Sequence, residues 1–433
     1  MIVFIFVVLF FLLLIGVPIA ISLGISTMFA FLVLGGGTTP LIVIPQRMFV
    51  QSDQYIFMAV PFFLLAGELM LHGGLSEKLV AFIKRLLWFL PASLACITTA
   101  ASAFFGAISG SNPATVAAIG GTMVPLMKKD GYPSDIAAAV AASSGTLGVI
   151  IPPSIPMITY GMVASVSVAK LFIGGIIPGL MLTIIIILTN IIVCGKYGSN
   201  PKVIREQMIK ENQPLWQLFK EAIWAIMMPV IILGGIYGGV FTPTEAGVIS
   251  ALYAFMVGKF IYHSINFNVL MKCFLKAGIS TSLILLVIAF CGPFTWFMTS
   301  NKIPELIAST IISLVSNKYL LIFLINIVLL VLGCFFDAGS IILLITTMLI
   351  PIAASVDISP FSLGIIMVIN TSVGMLTPPM AVNLFVAKQI SGASIEQISK
   401  KIIPYLVAEG VFVVILSYFP GLIEWLPNII MGP

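Results

Sequence analysis

Ser143-Ser144-Gly145-Thr146-Leu147-Gly148-Val149-Ile150-Ile151-Pro152-Pro153 and, 226 residues later, Ile369-Asn370-Thr371-Ser372-Val373-Gly374-Met375-Leu376-Thr377-Pro378-Pro379 decide the fold. Gly148 pairs with Gly374, and Pro152-Pro153 with Pro378-Pro379. Pro125 and Pro351 upstream keep the same offset, with no gap. Both stretches lie in apolar sequence, where a proline pair removes backbone donors and stops a helix. In lipid an unpaired backbone group costs several kcal/mol, so a broken helix persists only when buried or facing a polar cavity. Matching breaks in two halves of a membrane chain point to a transporter binding site.

Composition fixes the solvent. Of the 433 residues 60% are hydrophobic and 8% charged, against about 25% charged in a soluble domain. The first charged side chain after the N-terminus is Arg47. So few charges exclude a soluble fold of this length and predict an all-α, polytopic membrane protein. Met1–Gly35 lacks a basic start and exceeds the length of a cleaved signal core, so it is expected to be retained. Cys96, Cys194, Cys273, Cys291 and Cys334 stand singly in apolar runs, as small packed hydrophobes do.

A crossing needs about 20 apolar residues. That rule predicts spans near 2–16, 18–36, 55–73, 132–169, 172–194, 222–241, 244–264, 277–300, 357–387 and 401–426. Residues 2–35 are either two short spans turning at Gly16-Val17-Pro18 or one long tilted helix. Residues 92–127 and 318–352 fit no span. They bend at Ser109-Gly110-Ser111-Asn112-Pro113 and between Gly333 and Ser340, and read as re-entrant hairpins, the alternative being a pair of ordinary spans each. Amphipathic stretches at Leu75–Leu87 and Ile303–Val315 precede them and suit the interface.

The result is five spans plus a hairpin, twice. The first repeat is 1–195 (hairpin 92–127, broken helix 132–169) and a cytoplasmic linker covers 196–221. The second repeat is 222–433 (hairpin 318–352, broken helix 357–387). An odd number of crossings inverts the second half. Placing the linker in the cytoplasm leaves only Arg47, Lys170, Lys302 and Lys318, of twenty Lys and Arg, outside. That is a strong positive-inside bias. It accounts for the net charge of +5 without a nucleic-acid partner.

The polar residues inside these segments cluster at the bends and breaks. Ser109, Ser111, Asn112 and Thr115 occupy the first bend, with Ser143, Ser144, Thr146 and Gly148 at the first break. The second half offers Gly333, Asp337, Ser340, Asn370, Thr371, Ser372, Gly374, Thr377 and Asn383. Hydroxyl, amide and freed carbonyl oxygens suit a hard monovalent cation that binds and leaves quickly. Asp337 is the most informative charge, because a carboxylate at membrane depth is functional by default. It is a candidate to touch substrate, hold a cation or carry a proton. Glu68 and Glu409 compete for that role, but neither lies beside a break in the sequence, so both read as scaffold contacts. Glu245 and Asp135 suit helix N-termini. No P-loop, HExxH, GxSxG or paired intramembrane Asp occurs, so the chain reads as no enzyme.

At Gly106–Ala117, Gly148–Pro156 and Asn370–Met380 the chain resembles, over essentially its full length, the large membrane subunit of the tripartite ATP-independent periplasmic (TRAP) transporters. The resemblance implies an elevator-type carrier in the bacterial inner membrane, with a scaffold holding a mobile transport domain of two hairpins and two unwound helices. Its implied partners are a separate four-helix small membrane subunit of the Q type and a periplasmic binding protein. The binding protein would deliver an organic acid of the sialic acid or C4-dicarboxylate class, moved inward with sodium and no other cofactor.

By that resemblance one sodium site would use Ser109 and Asn112 with the backbone of Gly148, Ile151 and Pro153. The second would use the backbone of Gly333, Gly374 and Met380 with Thr377. Substrate would sit between the hairpin tips near Ser111, Ser154 and Asp337. Asp337 would repel an anion unless it met hydroxyl or amine groups, which leans towards a polyhydroxylated acid. A carboxylate carrier working without a binding protein, or a channel-like pore, are the alternatives.

Overall fold

The computed structural model describes residues 2–34, 39–197, 214–315, 317–378 and 380–432, and every regular element in them is helical. Most of the linker, 198–213, and Pro379 of the second proline pair lie outside the described residues. Among the described residues seven helices are long and apolar enough to cross a bilayer, one of them Lys318–Phe335 in a stretch the sequence reading fitted to no span. A pair bent by 42° at the first proline pair passes the same test together.

Residues 2–34 form two helices, α1 (Ile2–Leu14) and α2 (Ile19–Leu34), which settles the choice left open by the sequence. Gly16 makes the turn at φ +86°, a left-handed conformation that glycine adopts without a Cβ clash. Helices α3 (Val43–Ser52) and α4 (Ala59–His72) follow. The amphipathic stretch is helix α5 (Leu75–Leu87). It buries Leu75, Leu79, Val80 and Ile83 at helical spacing and keeps Glu77, Lys78 and Lys84 off that face.

The first hairpin is α6 (Ser93–Ser109) returning through α7 (Asn112–Thr115), a π turn over Val116–Gly120 and α8 (Gly121–Lys129). It bends at Gly110, φ +57°, where the sequence expected it. The first broken helix is α9 (Ser134–Ser144), α10 (Leu147–Ile150) and α11 (Ile155–Val163), and α12 (Val168–Cys194) completes this half.

Helix α13 (Leu215–Tyr237) starts inside the stretch read as linker. Pro214, itself in an extended conformation, is its N-cap. Leu218 is then buried, and Phe219 packs on Phe82 of α5 at 5.7 Å, so the helix begins before its apolar run. Thr242 and Glu245 form a capping box on α14 (Pro243–Met256), the N-terminal role expected of Glu245. Helix α15 (Phe267–Ser300) begins ten residues ahead of the predicted span, because Asn266 caps Val269 N. At 34 residues it is about 51 Å long, against a core of about 30 Å. It packs along α2, α3 and α4.

Helix α16 (Ile303–Leu314) precedes the second hairpin, α17 (Lys318–Phe335) and α18 (Ala338–Ala354). The turn falls at Phe336-Asp337, so Gly333 lies within the first arm and not at the bend. The second broken helix is α19 (Pro360–Gly374) and α20 (Val382–Ser391). The predicted last span divides into α21 (Ile395–Tyr418), opened by a Ser394–Gln397 capping box, and α22 (Gly421–Met431). All five cysteines are free and buried, as small hydrophobes.

Candidate functional site

The site begins with glycines. A Cβ on Gly148 would stand 2.5 Å from Ser111 O and 2.6 Å from Thr115 Oγ1. Only a bare Cα lets the first break lie against the first hairpin tip. The second half repeats the device: a Cβ on Gly374 would stand 2.6 Å from the Cα of Gly333 and 2.9 Å from Leu330 O. The inner arm of each hairpin therefore crosses its broken helix at backbone contact.

Hydroxyls and amides fasten these crossings. At the first tip the Ser109 and Thr115 hydroxyls lie 2.9 Å apart, and Thr115 Oγ1 donates to Ser111 O at 2.8 Å. Asn112 Oδ1 accepts from Val149 N at 3.0 Å, and its Nδ2 donates to Ser372 Oγ at 2.7 Å. Ser372 Oγ in turn donates to Thr146 O at 2.8 Å. Asn112, Thr146 and Ser372 are all fully buried, so one polar chain joins the hairpin tip to both breaks. Pro153 O belongs to the same spot, 3.0 Å from where a Cβ on Gly110 would be.

Two further polar clusters hold the hairpins from behind. In the first half Asn190 Nδ2 donates to Thr99 Oγ1, which lies 2.8 Å from Ser144 Oγ. In the second, Asn370 Nδ2 and Ser417 Oγ both donate to Asn326 Oδ1, at 2.6 and 3.1 Å. Each cluster ties a hairpin arm (Thr99, Asn326) to a broken helix (Ser144, Asn370) and a last span (Asn190, Ser417). The paired positions are 227, 226 and 227 residues apart.

The structure brings together Ser109, Asn112, Gly148 and Pro153 at one break and Gly333, Gly374 and Thr377 at the other. Thr377 O accepts from Cys334 Sγ at 3.0 Å, while Thr377 Oγ1 is buried and has no hydrogen-bond partner among the described residues. Ile151 is half-buried and packs against Gly179 of α12, away from the tip. Met380 is 57% exposed.

Of the substrate candidates, Ser111 is half-buried at the tip, and Ser154 is buried and caps α11 through Met157 N. Asp337 is exposed and caps α18, accepting from Ser340 N at 3.1 Å and Ser340 Oγ at 2.5 Å. Its first duty is that of an N-cap. Asp337→Ala should cost about 1 kcal/mol, read as a lower unfolding midpoint, and Asp337→Asn should restore it.

One residue was misplaced by the sequence reading. Glu409 does lie beside a break in space, with Ser143 Oγ 2.7 Å from Oε1 and Thr146 Oγ1 2.9 Å from Oε2. It comes from α21, more than 260 residues downstream, and chain distance hid it. Glu68 lies 3.9 Å from Lys276 Nζ and 3.5 Å from His72 Nδ1. Among the described residues no three His, Cys, Asp or Glu side chains gather as a metal ion would need.

Comparison with known proteins adds the following. The family model for the DctM component of the tripartite ATP-independent periplasmic transporter matches residues 6–422. The C4-dicarboxylate TRAP transporter large permease protein of Pseudomonas aeruginosa is 37% identical over 94% of this chain and 94% of its own. The isethionate TRAP transporter permease protein of Oleidesulfovibrio alaskensis is 37% identical over 95% of this chain, which spans 64% of that longer protein. The crystal structure of the Alcanivorax borkumensis YdaH transporter superposes with a TM-score of 0.62 at 14% identity, covering 90% of this chain and 89% of that one. It shares the fold.

Proposed function

We propose, for a chain that belongs to the DctM family of tripartite ATP-independent periplasmic transporter components, sodium-coupled import of an organic acid across the bacterial inner membrane. The observation that carries the reading is the pair of glycine-crossed breaks joined through Asn112, Ser372 and Thr146. A periplasmic binding protein would deliver the acid, of the C4-dicarboxylate or sialic acid class, and a small membrane subunit would complete the carrier.

The inverted repeat has support beyond the sequence pattern. Ser372 and Thr146 are 226 residues apart, the repeat offset itself, and they touch. Equivalent positions can meet only on the axis relating the two halves. The two polar clusters obey the same offset to within one residue, as do the pairs Gly106–Gly148, where a Cβ on Gly106 would stand 3.0 Å from Gly148 Cα, and Gly333–Gly374. An elevator motion follows naturally. Hairpins and broken helices form one polar-fastened body, which would slide against α2, α3, α4 and α15.

The donor set fits sodium. Thr377 Oγ1 is a buried oxygen without a partner, a state that costs free energy unless something polar is bound. Thr377 with the backbone of Gly333, Gly374 and Met380 would hold one ion. Ser109 and Asn112 with the backbone of Gly148, Ile151 and Pro153 would hold the other. When bound, an ion supplies positive charge that draws hairpin and break oxygens together. Asn112 already orients both breaks, and the glycines keep water-accessible volume out of each crossing.

Purified large and small subunits in liposomes, given the binding protein loaded with a C4-dicarboxylate, an isethionate or a sialic acid, test the proposal. One of the three acids should accumulate only under an inward sodium gradient. Uptake without the binding protein, or flux that ignores the gradient, sinks it. Topology gives a second expected result: a cysteine in 196–213 labels only from the cytoplasm and one at Asn428 only from outside. Labelling of both from one face removes the inverted repeat.

A further inference from the structure

Counting protons around Glu409 decides its chemical state. The carboxyl is fully buried on α21, and among the described residues no cation pairs with it. Three close approaches link it to the turn after α9. Ser143 Oγ lies 2.7 Å from Oε1, Thr146 Oγ1 lies 2.9 Å from Oε2, and the same Thr146 Oγ1 lies 2.7 Å from Ser143 O. A carbonyl has no proton to give, and Ser143 O also accepts from Thr146 N at 3.0 Å, so both contacts of the Thr146 hydroxyl are hydrogen bonds only where its single proton goes to Ser143 O. The approach to Oε2 then lacks a proton unless the carboxyl provides it.

We propose that Glu409 is a carboxylic acid, with its proton on Oε2 donated to Thr146 Oγ1, and that it forms a proton-binding latch between α21 and the first break. With that proton every link has one donor and one acceptor, running Glu409 to Thr146 to Ser143 O, with Ser143 Oγ closing on Oε1. Without it a bare charge is buried at membrane depth. The Thr146 hydroxyl must then leave Ser143 O for the carboxylate.

The surroundings offer no substitute charge. Helices α9, α12, α17, α19 and α20 pack on α21. Their charged groups are Asp135 of α9, Lys170 of α12, Lys318 of α17 and Lys388 of α20, all in end turns, with none on α19. The weakly acidic neighbours are Cys194 of α12, Tyr319 and Cys334 of α17, and Tyr405 on α21 itself. Tyr405 donates to Asn190 Oδ1 at 2.7 Å.

The test reads chemistry and not transport, so its outcome is independent of what the carrier moves. Infrared difference spectra of the full purified chain, wild type minus Glu409→Gln, are taken at neutral pH in sodium and in potassium buffer. The expected result is a protonated carboxylic-acid carbonyl band, shifted by deuterium oxide and the same in both salts. A carboxylate band in its place overturns the proposal. So does a band that disappears on adding sodium, which would make Glu409 a cation ligand. Thr146→Val is the second variant, since it keeps the acid and deletes its acceptor. The band should move in that variant, and a difference spectrum without such a move also overturns the proposal.

Discussion

Gly374→Ala is expected to prevent the second hairpin from seating, at a cost near 3 kcal/mol, the upper end for overpacking. The added methyl would lie 2.6 Å from Gly333 Cα and 2.9 Å from Leu330 O. Both are backbone atoms, so no rotamer change relieves the clash and α17 or α19 must move. The measurement is the unfolding midpoint and monodisperse yield in detergent, with Gly278→Ala as the control. Gly278 is exposed on α15 with nothing within 4 Å of a Cβ. Alanine there should stabilise by about 1 kcal/mol through helix propensity. If the two variants behave alike, the Gly333–Gly374 crossing is not what holds the second break in place.

Thr377→Val is expected to separate ion binding from folding. The Thr377 hydroxyl is buried with no partner, so an isosteric methyl loses no hydrogen bond and should leave stability unchanged or raise it. If the oxygen serves a sodium ion, its loss weakens that ion by about 1 to 3 kcal/mol. The sodium concentration for half-maximal uptake should then rise roughly ten-fold, at about 1.4 kcal/mol per decade. Asn112→Ala should shift sodium dependence too, but with a stability loss, because Val149 N and Ser372 Oγ lose their partner. Glu68→Gln, tied to Lys276 and His72, should leave sodium dependence in place. Wild-type sodium dependence in Thr377→Val would remove the second ion site.

How much of this was legible follows from the range of each interaction. Most of the spans, the hairpin at Gly110 and the break at Pro152-Pro153 are local consequences of hydropathy and of backbone chemistry, and the sequence carries them. The stretches 2–16, 18–36 and 357–387 fall short of a crossing, and Lys318–Phe335 is long enough for one. Helix starts slipped where a cap outweighed the apolar run, as at Asn266 and Pro214. Gly333 was assigned to a bend because glycine favours turns; its real use is close approach to a helix forty residues on. Asp337 read as a candidate to touch substrate, hold a cation or carry a proton because it lies in apolar sequence; the fold shows it exposed and capping α18. Glu409 read as a scaffold contact for the opposite reason, since nothing local relates it to Ser143. A polar residue opposite a break in space leaves no periodic trace.

The contact between Ser372 and Thr146 has a geometrical consequence. If a two-fold rotation relates the halves, a contact between corresponding positions maps onto itself, whichever face of the membrane is open. The residue pair can serve as a pivot in both states, although the hydrogen bond within it runs one way, from Ser372 Oγ to Thr146 O. Inward must then be told from outward by positions where the rotation fails. Asn112, whose counterpart is Ala338 or Gly339, and Glu409, whose counterpart at the offset of the last spans is Leu182, are two such places. Handedness of transport would be written in what the duplicate lacks.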